Sequence, residues 1–139
     1  MTEVRFDTKI VIVLRSDLPG WQKLNMTAFL SSGVAAAAPQ SIGAAYADAD
    51  GTTYLAMFGQ PVMVFGADAD ELRRTMERAL SRDVIPAVFT EDLFSTGHDE
   101  ANRAAVAAVP RTALALTGLA FRSERRTADK ITKGLQLHP

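Results

Sequence analysis

Five consecutive apolar residues, Ile10-Val-Ile-Val-Leu14, four of them β-branched, constrain this chain more than any other feature. A strand with one wet face alternates polar and apolar positions, whereas an unbroken run belongs to a strand buried on both faces. Burying both faces takes helices above and below, so the run predicts a three-layer α/β/α domain around a mixed sheet. The 139 residues are close to the ~150 typical of one domain and enough to bury a core. A single domain over residues 1–139 is expected. The run is too short for a signal-peptide core or a membrane span, and two acidic residues precede it. The expectation is a cytoplasmic protein that does not engage a membrane.

Along the chain, Ser16-Asp17-Leu18-Pro19-Gly20 is a turn cluster, and Lys23 to Ala38 reads as a helix stopped by Pro39. Asp48-Ala-Asp-Gly51 between β-formers predicts a small hairpin within Ser41 to Leu55, read as an insertion. Pro61 to Phe65 reads as a strand. Asp68-x-x-Glu71 is an acidic capping box opening a helix whose Leu72, Met76, Ala79 and Leu80 form one apolar stripe. Val84 to Thr90 resumes strand character, its ladder starting after Pro86. Glu91 to His98 reads as a polar loop, Asp99 to Ala108 as a helix, Thr112 to Phe121 as a strand, and Arg122 to Lys133 as a closing helix with Ala128, Ile131 and Leu135 inward.

Several chemistries are excluded. There is no cysteine, which removes disulfides and thiol nucleophiles. The nine glycines never fall in a dinucleotide or P-loop pattern, and no nucleophile-elbow pattern occurs. The two histidines, His98 and His138, lack metal-ligand spacing and read as solvated surface residues; no metal and no cofactor is expected. A net charge of -1 leaves no global basic balance, so any polyanion site must be a local patch.

Two places carry chemistry. Lys23 follows a buried strand and a glycine turn, where ligands gather beyond the carboxyl ends of strands in such sheets. Asp92 and Thr96 follow another apolar strand, and residues four apart can share one face of a helical turn, the carboxylate as a base for water and the hydroxyl orienting it. Each has a plainer reading as well: Lys23 as a solvated helix-start lysine, Asp92 and Thr96 as caps of the next helix.

In this setting the chain resembles the type II peptidyl-tRNA hydrolases, and more narrowly a divergent bacterial branch of unknown function (DUF2000-like). The resemblance is carried, in order, by Lys9-Ile-Val-Ile-Val-Leu-Arg-Ser-Asp17, Lys23 heading a helix, Gly59-Gln-Pro61, the set Glu91, Asp92 and Thr96, and a tail at Asp129-Lys-Ile-Thr-Lys-Gly-Leu135. It implies a peptidyl-tRNA hydrolase-like fold and, at Lys23, Asp92 and Thr96, residues associated with cleavage of the ester joining a peptide to tRNA. The departures fall in the implied cleft. The family's helix glutamine is Thr27, its histidine Leu30, a turn glycine Phe94 and a second threonine Leu114, with Trp21 where a second lysine would stand. Trp21, Thr27 and Phe94 are therefore expected to contact substrate. Arg122, Arg125 and Arg126, followed by Lys130 and Lys133, form a cationic run that reads either as a solvated helix face or as a tRNA-acceptor patch.

Two functions follow: ester hydrolysis with Asp92 as base, Thr96 orienting water and Lys23 stabilising the oxyanion or binding phosphate, or a non-catalytic small-ligand or partner-binding domain on the same scaffold. The partners implied are tRNA or a small anionic ligand. A structural homodimer is a third reading.

Overall fold

The computed structural model describes residues 4–139. The apolar run lies in β1 (Thr8–Arg15), at the middle of a sheet. Ile10 through Leu14 are at most 4% exposed, as expected for a strand covered on both sides. The other strands are β2 (Tyr46–Ala47), β3 (Thr53–Tyr54), β4 (Val62–Ala67), β5 (Ala87–Thr90), β6 (Leu116–Glu124) and β7 (Gln136–Leu137). The helices are α1 (Gly20–Ala37), α2 (Ala69–Ser81), α3 (Asp99–Ala107) and α4 (Arg125–Ile131).

Five strands form one mixed sheet in the order β5-β6-β1-β4-β7, and β2 and β3 form a separate hairpin. Only β1 and β4 are parallel; β6 is antiparallel to both β1 and β5, and β7 is antiparallel to β4. Alternate residues of β1 feed opposite cores. Ile10, Ile12 and Leu14 pack with Met26, Leu30 and Val34 of α1. Val11 and Val13 pack with Leu72, Met76 and Ala79 of α2 and Ala128 and Ile131 of α4. The three layers follow from this division.

The Asp68 capping box forms in full: the side chain of Asp68 accepts from the Glu71 amide at 2.8 Å, and the Glu71 side chain accepts from the Asp68 amide at 3.0 Å. The hairpin turn is closed by the Asp48 carboxylate, which accepts from the amides of Asp50 and Thr52 and from the Tyr54 hydroxyl at 2.7 Å, with Gly51 at φ 85°. These bonds hold the Asp48 carboxyl below the usual carboxylate range, the Tyr54 bond contributing most, and the same bond pushes the Tyr54 phenol up.

Several boundaries differ from the sequence expectation. Helix α1 starts at Gly20 rather than Lys23. The strand expected to end at Phe121 begins at Leu116 and runs on to Glu124, because Arg122, Ser123 and Glu124 pair with Ile10, Lys9 and Thr8. Only Arg125–Ile131 is then left for the closing helix. The expected loop after β5 opens as a 3-10 turn over Glu91–Phe94. β7 had no sequence signal, since two residues carry no periodicity.

Candidate functional site

After β1 the chain crosses to one face of the sheet as α1, and after the adjacent parallel β4 it crosses to the other as α2. Such a divergence leaves a crevice beyond the carboxyl ends of the two strands, the place where open α/β sheets bind ligands. A 690 Å³ cleft lies there, lined by the end of β1 (Arg15, Ser16, Asp17), the end of β4 and start of α2 (Gly66 to Ala69, and Glu71), Glu91, Gly134 and Gln136.

Arg15 organises this cleft. Its side chain, 16% exposed, donates to Asp17 and to Glu91, each at 2.7 Å, and so ties the end of β1 to the turn after β5. Burial alone would lower the Arg15 guanidinium; the hydrogen bonds to Glu91 and Asp17 outweigh it and hold the group above its ordinary value. Asp17, Asp68, Glu71 and Glu91 bring four carboxylates to the lining against one guanidinium, two of them held by Arg15 and two engaged in the capping box of α2. The lining is therefore net negative. Gly66 lies at a close approach: a Cβ there would stand 2.7 Å from Ser16 Oγ, which would have to rotate away, and 3.7 Å from the His138 ring.

Lys23 leaves α1 toward this side. Its Nζ lies 3.0 Å from His138 Nε2, while His138 Nδ1 is 2.9 Å from the Pro139 carbonyl oxygen. The tautomer with the proton on Nδ1 satisfies both contacts, Nδ1–H donating to Pro139 and Nε2 accepting from Lys23. His138 is thus half-buried and partnered, contrary to the expectation of a solvated residue. His98 is exposed and caps α3, its Nδ1 accepting from the Ala101 amide at 3.2 Å.

Asp92 and Thr96 do not line this cleft. Trp21, two residues before Lys23 and so roughly 200° around the helix, meets Phe94 edge-on at 6.0 Å, in the turn that carries Asp92. The turn ends at Phe94, so Asp92 and Thr96 do not share one helical face. The Thr96 hydroxyl is committed locally, donating to the Leu93 carbonyl at 3.2 Å and meeting Asn102 of α3. Asp92 is exposed, and its main-chain carbonyl accepts from the Ser95 amide and hydroxyl. Thr27 donates back to the Lys23 carbonyl at 2.7 Å, inside the helix.

The cationic residues lie at the opposite end of the sheet. Arg122 pairs with Ile10 and Glu124 with Thr8, so they stand beside the amino-terminal half of β1, roughly 17–23 Å along the strand from Arg15 at ~3.3 Å per residue. Arg122 donates to Gln60 and Arg125 to the Phe6 carbonyl, while Arg126 is exposed.

A second, apolar groove of 570 Å³ lies between α1, β5 and α3, lined by Phe29, Leu30, Phe89, Leu93 and Val106 among others. Neither cavity is lined by Lys23, Asp92 or Thr96. Sequence reasoning missed Arg15, Asp17, Asp68 and Glu91 as cleft residues. The only local signal was their position just past predicted strands, and the capping role of Asp68 and Glu71 obscured it. Among the described residues, no group of three or more His, Asp or Glu side chains is arranged to hold a metal ion, and no helix is long and apolar enough to cross a membrane.

Residues 8–139 match the family described as Protein of unknown function (DUF2000). The chain is also similar to the solved structure of a protein of unknown function from Agrobacterium tumefaciens, at 43% identity and a TM-score of 0.94, over 97% of this chain and 100% of that one. No curated protein matches it.

Proposed function

The chain belongs to the DUF2000 family of proteins of unknown function, and from its own geometry we propose that it is a small-molecule-binding domain whose ligand enters the cleft between the ends of β1 and β4. The observation that carries this reading is the 690 Å³ cleft at the point where α1 and α2 diverge, a volume within the ~300–1,000 Å³ of ligand pockets. Four carboxylates against one guanidinium favour a small polar molecule bearing an amine or guanidinium over an anion.

Ester hydrolysis at Lys23, Asp92 and Thr96, on a peptidyl-tRNA hydrolase-like scaffold, has less support. It needs the lysine and the carboxylate to face one substrate, and the Thr96 hydroxyl to be free for water. Here the Lys23 amine is paired with His138, and Thr96 is held by Leu93 and Asn102.

Calorimetric titration with spermidine and agmatine, against inorganic phosphate as the anionic counterpart, tests the binding reading. Binding of the cations that weakens with added salt and in the Asp17→Asn, Glu91→Gln double variant is expected. A preference for phosphate, or cation binding indifferent to that double variant, overturns it.

A further inference from the structure

The β2–β3 hairpin stands away from the body of its own chain. All residues from 43 to 55 are exposed, and the hairpin is held by its turn and by main-chain bonds at its root, Gly43 amide to Met57 carbonyl and Gly59 amide to Ser41 carbonyl, each 2.8 Å. A lone two-stranded hairpin is marginal in water, yet this one displays Tyr46, Tyr54, Leu55 and Met57, between 50% and 87% exposed. On the same chain the groove beside α1 is largely apolar, its two charged lining residues Asp99 and Arg103 paired with each other, it is unfilled by this arm, and β5 along it is an edge strand. Natural sheets cover such edges.

We propose that two copies of this chain pair about a two-fold axis by exchanging these arms, the hairpin of each seating in the groove between α1, β5 and α3 of the other. Two observations select a second copy as the occupant. Near a two-fold axis a surface meets its own kind, so charges there would meet their like; from Leu24 to Ala47, through most of α1 and into the arm, there is no charged residue, and Asp48 and Asp50 are confined to the arm's turn. The area suffices: Trp21, Leu24 and Phe29 of α1 with the four arm residues are each at least half exposed, and at roughly 200 Å² per side chain they offer on the order of 800 Å² per protomer, the share of a stable interface.

Sedimentation equilibrium of the full chain is expected to give twice the chain mass. Leu55 is 87% exposed, so Leu55→Glu should leave the circular-dichroism spectrum unchanged while weakening the dimer at least 30-fold. Because the chain lacks cysteine, a second measurement is clean: chains carrying Leu55→Cys, mixed with differently tagged chains carrying Ser32→Cys, should form a disulfide between the two. A monomer at about 100 µM, where an interface of micromolar Kd is saturated, overturns the proposal. So does a dimer that resists Leu55→Glu, or a mixture that yields no disulfide between arm and groove.

Discussion

Replacing Arg15 by glutamine separates a cation-binding cleft from an anion-binding one, because the two respond with opposite sign. The guanidinium is 16% exposed, but its partners Asp17 and Glu91 are 72% and 55% exposed and return to water when released. Each pair is therefore worth only a few tenths to 1 kcal/mol after solvent screening. A stability loss of about 1 kcal/mol, or roughly 3–4 °C in Tm for a chain of this size, is expected. The effect on ligand is electrostatic. Removing one positive charge about 6 Å from a bound cation, at an effective dielectric between 20 and 80, is worth roughly 0.7–3 kcal/mol. The open cleft belongs at the low end, so about 1 kcal/mol, or near fivefold tighter binding of agmatine, is expected. Calorimetric titration of wild type and Arg15→Gln at two salt concentrations measures it, and the difference should shrink as salt rises. Agmatine bound more weakly by Arg15→Gln, with the fold intact by circular dichroism, would refute the reasoning by placing an anionic group of the ligand on Arg15.

A Cβ at Gly118 would stand 2.7 Å from Met26 Sδ and 3.1 Å from both Leu30 Cδ1 and the Val13 carbonyl; Gly118→Ala should cost about 1–3 kcal/mol through overpacking, read as a denaturant midpoint shift, whereas Gly20→Ala, with nothing within 4 Å, should be neutral or stabilising. The hairpin is sensitive to pH at both ends. The lowered Asp48 pKa gives stability present above its unfolded value and lost as pH falls through the folded one, below roughly pH 4, and the raised Tyr54 pKa gives stability lost as pH rises through its folded value, above roughly pH 10. The protection factor of the Thr52 amide, its exchange referred to the unprotected rate at each pH, reports both transitions, and a protection factor constant with pH would show that the Asp48–Tyr54 bond does not hold the turn. On N-blocked aminoacyl-tRNA we expect turnover at least ~100-fold below that of an active hydrolase, since each missing orienting donor costs on the order of 10²–10³; robust cleavage abolished by Asp92→Asn would restore the hydrolase reading.

Much of the fold was legible because its signals are local. The Ile10 to Leu14 run marked a strand buried on both sides. The Asp68 box and the stripe behind it marked α2, and the Asp-x-Asp-Gly turn marked the hairpin. Pro86 placed the start of β5 correctly. The boundary errors cluster where tertiary pairing overrides local preference: Arg122 to Glu124 read as helix in isolation but complete the ladder on β1.

The site was legible only in part, for a physical reason. The sequence alone determined which segments are strands and helices and that the helices must cover both faces, since periodicity and capping act within a few residues. It placed Lys23 and Asp92 each just past a core strand, yet strand order and the side chosen by each crossover are set by packing between distant segments. Those choices turn Lys23 toward His138, 115 residues away, and bind Arg15 to Glu91, 76 residues away. They send Arg122 and Arg125 to the far end of the sheet and open the cleft between β1 and β4. No local pattern encodes these juxtapositions, because each exists only once the chain has paid the entropy of closing its long loops.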